Sequence, residues 1–135
     1  MQGIYVLVIR LDDDISLQVG ALGKRKFKKG LYAYVGSAQI SVEKRVARHL
    51  RRQKRLFWHI DYLLNCKSVE VIEVLSRKAK KAEECKVAKV LDEQNEPIMG
   101  FGCSDCRCAT HLFRLNSYPI SFQEVPSLII KKYNI

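Results

Sequence analysis

The stretch Gly3-Ile4-Tyr5-Val6-Leu7-Val8-Ile9-Arg10 (GIYVLVIR) decides the fold that we expect for this 135-residue chain. It is rich in β-branched and aromatic residues and too short and apolar for an exposed helix, so it predicts a largely buried strand. Residues 31–37 (LYAYVGS) predict another strand, and residues 15–20 alternate apolar and polar positions as a half-buried strand does. The basic residues 23–30 are turn-like, with residues 24–29 at a hairpin tip. The chain therefore begins as a small antiparallel sheet.

A helical pattern follows this sheet. Ser41 suits an N-cap, and Val42, Val46 and Leu50 form the buried stripe of a helix that is expected to reach about residue 53. Three further patterns predict a second helix, a third main strand and a third helix, over residues 57–66, 69–75 and 79–93, and a short strand is expected over residues 111–115.

We therefore predict a single α+β domain over residues 1–135, with a small, central, mainly antiparallel sheet flanked by helices. In the second helix, His59 and Asp61 lie beside Trp58. A hydrogen-bonded structural pair is the favoured interpretation of these two polar residues, ahead of a catalytic role.

Positive charge is concentrated along the chain. The 24 Lys and Arg residues exceed the 14 Asp and Glu residues by ten, and most of them lie in three runs over residues 24–29, 44–55 and 77–81. Clustering of this kind is typical of a surface that binds a polyanion, although a basic run is also an ordinary solvated face. A hydrophobic content of 47% argues against intrinsic disorder. Nucleic acid is the expected partner.

The composition also limits the compartment. No apolar run reaches the roughly 18 residues of a membrane span, and residues 1–5 lack the features of a signal peptide. The five cysteines are an odd number, which argues against a fully paired extracellular disulfide framework. We expect a soluble cytoplasmic protein with no membrane partner and leave its oligomeric state open.

Two short strings carry a resemblance to a known family. Gly3-Ile4-Tyr5 lies in the first strand and Tyr34-Val35-Gly36 in another, followed by a helix that bears Arg45 and His49, a third strand and a helix that bears Glu84. In this order they resemble the GIY-YIG nuclease superfamily over about residues 3–112. Further stretches such as Trp58-His59-Ile60-Asp61 are similar to its compact, largely uncharacterised archaeal-type branch, some members of which are joined to DNA-repair glycosylase domains.

The resemblance implies an endonuclease that hydrolyses phosphodiester bonds in DNA or structured nucleic acid. It implies catalytic roles for Tyr5 and Tyr34, one of which would act as a base or relay a proton. The family's helix arginine corresponds to Arg45, whose planar fork suits phosphate. His49 lies one turn further along and would share the proton transfer. Because a phenol has a pKa of about 10, Tyr5 serves as base only where neighbouring cations favour its phenolate.

The resemblance also implies one metal ligand and a nucleic-acid surface. Glu84 best fits the family's glutamate, with Glu83 as the alternative, and a single carboxylate suits Mg²⁺ or Mn²⁺ that keeps several waters. The asparagine that typically follows this helix has no clear equivalent, so a non-catalytic nucleic-acid-binding module on the same fold is the alternative function. The expected nucleic-acid-binding residues are Gly36, Ser37, Arg48, Arg52, Lys26 and Lys28.

The remaining motif is a cysteine-rich stretch. Cys103, Cys106, Cys108 and His111 form C-x2-C-x-C-x2-H, whose four soft ligands suit a structural Zn²⁺. The spacing is tighter than the usual two separated ligand pairs, so reduced buried thiols, or a link from Cys85 to this loop, are the favoured interpretations.

Overall fold

A five-stranded antiparallel sheet lies at the centre of the computed structural model, which describes residues 1–102 and 108–118. Its strands follow the order β5-β1-β4-β7-β6, and a separate two-stranded ribbon pairs β2 with β3. The elements are β1 (Gly3–Leu11), β2 (Ile15–Gln18), β3 (Lys24–Phe27), β4 (Gly30–Ala38), α1 (Val42–Leu50), α2 (His59–Leu64), β5 (Val69–Lys78), α3 (Ala82–Gln94), β6 (Glu96–Pro97) and β7 (Leu112–Arg114), with a short 3-10 turn at Gly20–Leu22. The α+β class and the antiparallel sheet predicted from the sequence are confirmed.

The register of the two longest central strands brings the tyrosines together. Tyr5 in β1 lies opposite Gly36 in β4, and Leu7 lies opposite Tyr34. Because side chains alternate between the two faces of a strand, Tyr5 and Tyr34 are diagonal neighbours on one face of the sheet.

Each face of the sheet has its own core. The face that carries Tyr5 and Tyr34 packs against α1 and α2 through side chains such as Val46, Ile60 and Leu63. The opposite face of β1 and β4 packs against α3. None of the helices within residues 1–102 and 108–118 is long and apolar enough to cross a membrane.

The bounds of most elements differ from the sequence prediction by one to three residues, and two differences have a clear physical cause. α1 ends at Leu50, three residues earlier than expected, because the next positions of its stripe are the polar Gln53 and Lys54, which have no apolar face to bury. Lys24–Phe27 forms strand β3 instead of a hairpin tip, and only Phe27 of this strand is buried. The predicted tip was wrong because an exposed ribbon needs backbone pairing and one apolar anchor, not a continuous apolar face.

Candidate active site

An open cleft of about 1010 Å³ lies where β4 and β5 end and β1 begins. The helices α1 and α3 begin on either side of this end of the sheet, since each follows one of those strands. Of the five residues to which the resemblance assigns catalysis or metal binding, four line the cleft together, namely Tyr5, Tyr34, Arg45 and Glu84. Four separate elements, β1, β4, α1 and α3, therefore supply the side chains of one site.

The glycines of the two motif strings allow close packing at this end of the sheet. A Cβ atom on Gly36 would lie 2.3 Å from the Tyr5 ring and hydroxyl, so the phenol rests directly on the β4 backbone. A Cβ atom on Gly3 would lie 2.2 Å from the carbonyl oxygen of Arg77 in β5. Gly36, expected to contact nucleic acid, lines the cleft and also provides the space that Tyr5 occupies.

The Tyr5 hydroxyl makes the central hydrogen bond of the site. It lies 2.7 Å from His49 Nε2, while His49 Nδ1 is buried with no hydrogen-bond partner among the described residues. A buried unpaired N–H costs more than a buried unpaired lone pair, so we infer that the ring proton sits on Nε2 and is donated to the Tyr5 oxygen. His49 is thereby a donor to the tyrosine.

Burial controls the protonation of these groups. It raises the pKa of Tyr5 above the usual phenol value, while the charge of Arg45 and a hydrogen bond to it act in the opposite direction. Burial also raises the pKa of Tyr34 well above its usual value, and the neighbouring Tyr5 adds to this effect. The same desolvation lowers the pKa of His49 to about 3. At neutral pH both phenols and the imidazole are therefore uncharged.

Arg45 brings a fixed positive charge to the cleft wall. Its guanidinium lies 4.6 Å from the centre of the Trp58 ring and donates to the Ser37 carbonyl oxygen at 3.2 Å. The aromatic face orients the planar cation, and the backbone acceptor holds one of its donors. Ser37, expected to bind nucleic acid, thus contributes its carbonyl to the arginine and also lines the cleft.

Arg48 lines the cleft, but its guanidinium is held by an internal carboxylate. It donates to both oxygens of Asp61 at 2.9 Å and stacks over Trp58 at 4.3 Å. The Asp61 carboxylate is fully buried and also accepts from the N–H groups of Phe57 and Trp58. Burial alone would raise its pKa, but the Arg48 hydrogen bonds and these N–H groups lower it. The expected His59–Asp61 pair is thus replaced by an Arg48–Asp61 pair.

The other expected nucleic-acid contacts lie away from this cleft. Arg52 lies beyond the end of α1 and donates to the carbonyl oxygens of Leu64, Cys66 and Val69, between the end of α2 and the start of β5. Lys26 and Lys28 lie near the start of β4, about 20 Å along the strand from Gly36 at roughly 3.3 Å per residue. These lysines are exposed, but they do not line the cleft.

Glu84 lies in the first turn of α3 on the side of the cleft opposite α1. Its Oε1 is 2.9 Å from Nδ1 of the buried His111, and its side chain is 13% exposed. The neighbouring Glu83 instead pairs with Lys86 at 3.2 Å on the helix surface. Of the two candidate glutamates, Glu84 is the one that lines the cleft. A carboxylate facing an open cleft fits a hard cation that keeps most of its water.

Sequence reasoning did not place several of the residues that line the cleft at this site, including Trp58, Lys44, Lys81, Cys85 and His111. Lys44 directly precedes Arg45, and Cys85 directly follows Glu84, so adjacency to the motif residues was an available signal. Trp58 was interpreted as a structural neighbour of Asp61. No pattern in the surrounding sequence predicts that it stacks against two arginines. Cys103 and Cys106 of the cysteine-rich stretch, for which zinc was the less favoured interpretation, lie outside the described residues.

The lowered pKa of His49 makes the fold sensitive to acid. Below the ordinary histidine value of about 6.5, the unfolded chain binds a proton that the folded chain excludes down to about pH 3, so stability falls as pH falls through this window. We expect the free energy of unfolding of wild type, measured by urea denaturation, to fall between pH 7 and pH 5. This fall should exceed that of His49→Gln by about 2 kcal/mol. If the free energy of unfolding changed equally with pH in the two chains, the interpretation of His49 as a neutral, buried imidazole would be refuted.

Comparison with known proteins gives one match. The model of the family described as "Domain of unknown function DUF123" matches residues 4–133. No curated protein and no solved structure matches the chain. The family match covers every described residue that we assign to the cleft.

Proposed function

The chain belongs to the family of the domain of unknown function DUF123, and we propose that it is a metal-dependent endonuclease that hydrolyses phosphodiester bonds in DNA or structured nucleic acid. The observation that carries this proposal is the meeting of Tyr5, Arg45 and Glu84 in one open cleft. These residues offer a base, a fixed cation and a carboxylate ligand, which are the groups that phosphodiester hydrolysis needs. The GIY-YIG resemblance of the sequence supports the same activity.

Arg45 is the residue that would hold the scissile phosphate. Its guanidinium is positioned by Trp58 and Ser37, so little side-chain freedom is lost when the phosphate binds. The Arg45 guanidinium would neutralise charge on the non-bridging phosphate oxygens as the phosphorus becomes five-coordinate. Lys44 and Lys81, which line the same cleft, would contact flanking phosphates.

Tyr5 is the residue that would activate water. Arg45 lowers the pKa of this phenol against the effect of burial, and the His49 Nε2 proton offers a second donor to the phenolate oxygen. Because the resting phenol is neutral, Tyr5 would first release its own proton to solvent, a step that the Arg45 charge and a bound divalent cation would favour. The phenolate would then take the proton of water as the water oxygen attacks phosphorus and the bond from phosphorus to the leaving oxygen breaks. Tyr34, on the same face and lining the cleft, would hold the attacking water.

Glu84 would hold the divalent cation. Its Oε1 faces His111, which leaves the second carboxylate oxygen for Mg²⁺ or Mn²⁺. When bound, the cation stabilises negative charge on the leaving oxygen. The protein contributes the position of the carboxylate, since the hydrogen bond from His111 fixes the orientation of the group.

The rim of the cleft suits unpaired bases. Phe57 is 74% exposed and Ile40 is 87% exposed, and both line the opening. Exposed aromatic side chains beside a basic groove are the usual platform on which nucleic-acid bases stack. This supports DNA or RNA with a branch, nick or single-stranded segment as the substrate. A repair role rests on the analogy with the domains to which similar chains are joined.

Replacing one glutamate and not its neighbour tests the metal site. Glu84→Gln keeps an oxygen that accepts from His111 and removes the charge that would hold Mg²⁺. We expect cleavage to fall about 100- to 1000-fold, since metal stabilisation of a leaving oxygen is worth several kcal/mol. The assay measures initial rates on end-labelled branched, nicked and linear substrates against Mg²⁺ concentration.

Glu83→Gln is the matched control, because this residue pairs with Lys86 on the surface of the same helical turn. Its cleavage rate should match that of wild type. Equal rates for wild type and Glu84→Gln would refute the metal site. A wild-type chain that binds the substrates without cutting them would favour the non-catalytic binding module.

A further inference from the structure

A second cluster of metal-ligating groups adjoins the cleft. Ligand atoms of Cys85, Cys108 and His111 all lie within 4.8 Å of one another. Cys85 lies in the first turns of α3, whereas Cys108 and His111 precede β7. The three groups therefore come from parts of the chain that meet only through the tertiary fold.

Backbone hydrogen bonds hold the loop side of this cluster. The N–H of His111 donates to the Phe101 carbonyl oxygen at 2.7 Å, and the His111 carbonyl oxygen accepts from Val35 in β4 at 2.9 Å. The N–H of Gly100 donates to the Ala109 carbonyl oxygen at 3.0 Å, which closes the chain on either side of Cys108. The loop residues are thus anchored to the central sheet.

Packing holds the helix side of the cluster. Val87, Ala88 and Leu91 of α3 are buried against the sheet in the core that Cys108 also contacts. Cys85 lies two residues before Val87, so burial of this stripe against β1 and β4 fixes its position relative to the sheet. Because both sides are anchored, the approach of the three ligands is a property of the fold and not of one loop.

His111 has the carboxylate partner that a metal-bound histidine usually has. Its Nδ1 is 2.9 Å from Glu84 Oε1, and a ring that donates its Nδ1 proton to a carboxylate carries its lone pair on Nε2. Metal-bound histidines almost always have such a carboxylate or carbonyl partner on the other ring nitrogen. His111 is also only 2% exposed, so its ring has few orientations to lose on binding a metal.

We propose that Cys85, Cys108 and His111 bind a Zn²⁺ ion, with Glu84 as the carboxylate that orients His111. A ligand set of two thiolates and an imidazole binds Zn²⁺ in preference to Mg²⁺. In a tetrahedral site with Zn–S bonds of about 2.3 Å, ligand atoms lie about 3.5 to 3.8 Å apart. An inward movement of about 1 Å from the present separation is within the reach of side-chain rotation.

This site goes beyond the proposed cleavage activity and does not depend on it. It differs from the ligand set expected from the cysteine-rich stretch, because Cys85 of α3 takes part. The metal would join α3 to the loop that precedes β7 and would fix the carboxylate of Glu84 at the cleft wall.

The test measures zinc in the purified full-length chain and its variants by plasma emission spectrometry, after dialysis against Zn²⁺ and then against metal-free buffer. Wild type is expected to retain one zinc ion per chain. Cys85→Ser, Cys108→Ser and His111→Gln are each expected to weaken zinc binding more than about 100-fold, since loss of an outer partner alone costs 10- to 100-fold. Circular dichroism establishes that each variant is folded.

Cys66→Ser is the matched control, because Cys66 follows α2 and its Sγ donates to the Tyr62 carbonyl oxygen. This variant should retain its zinc. X-ray absorption of the wild-type chain provides a measurement that no folding defect can affect, and it should show at least two sulfur ligands at about 2.3 Å and a histidine nitrogen.

Three results would overturn the proposal. The first is a folded wild-type chain that retains no zinc, including one in which Cys85 is found in a disulfide bond. The second is a Cys85→Ser chain that keeps its zinc while Cys103→Ser and Cys106→Ser lose it, which would assign the metal to the loop alone. The third is a zinc ion with only oxygen and nitrogen ligands.

Discussion

Replacing Tyr5 by phenylalanine is expected to lower kcat for cleavage by about 100- to 10,000-fold, the range of a positioned general base. The substitution removes one oxygen atom from a ring that rests on Gly36, so the packing of the strands is kept. The lost hydroxyl group is the one whose oxygen lies 2.7 Å from His49 Nε2. The charge of Arg45 acts to lower the pKa of this hydroxyl against the effect of burial. Substrate affinity should change little, because Arg45 and the lysines of the cleft remain. Single-turnover rates at saturating protein measure this effect.

Tyr32→Phe is the control for this loss. Tyr32 lies on the same face of β4, further from the cleft, and its hydroxyl donates to the Lys28 carbonyl oxygen. It loses the same atom from a buried tyrosine, so any general effect on stability appears in both variants. Its cleavage rate should be that of wild type. Equal reductions in the two variants would show that the Tyr5 effect is structural and that the assigned base is wrong.

Replacing Asp61 by alanine is expected to reduce the free energy of unfolding by about 3 kcal/mol. The substitution leaves the Arg48 guanidinium and the N–H groups of Phe57 and Trp58 without their shared acceptor. Loss of one partner from a buried ion pair costs about 3 to 5 kcal/mol. The lower end applies here because the Arg48 side chain is 22% exposed and is partly solvated after the change. Urea denaturation at pH 7 measures the loss.

Asp12→Ala is the matched control for this pair. Asp12 also accepts from an arginine, Arg10, at 3.0 Å, but the two side chains are 46% and 55% exposed. An exposed ion pair contributes less than about 1 kcal/mol, so this variant should denature close to wild type. A similar small loss in both variants would contradict the view that the Arg48–Asp61 pair supports the cleft wall.

The central strands β1 and β4 could be predicted from local pattern because they are buried on both faces. Residues 3–9 are a continuous buried run without a charged side chain, and such a run is a clear signal for a buried strand. The start of α1 was equally clear, since Ser41 accepts from the Lys44 N–H as an N-cap does. Strand β3 was missed because its exposed lysines carry a turn-like composition, while its pairing with β2 depends on backbone hydrogen bonds.

The site could be predicted only where its residues lie in ordered motifs. Tyr5, Tyr34 and Arg45 were named from the family resemblance that two strings and a helix carry in this order, and they meet in the cleft. The partners of Arg48 and Arg52 could not be named, because a buried carboxylate on α2 and three carbonyl oxygens after it approach these arginines through tertiary packing. A basic run in the sequence shows where positive charge is concentrated, but it does not show which of its side chains are held by partners inside the fold.

The most direct test of the account is whether the wild-type chain cuts nucleic acid through this cleft. Wild type and Tyr5→Phe are incubated with end-labelled branched, nicked and linear DNA and with RNA, in Mg²⁺ or Mn²⁺, and the products are separated by length. The account predicts that wild type yields discrete cleavage products from at least one substrate and that Tyr5→Phe binds the same substrate but yields at least about 100-fold less product. No cleavage of any substrate, or equal cleavage by the two chains, would contradict it.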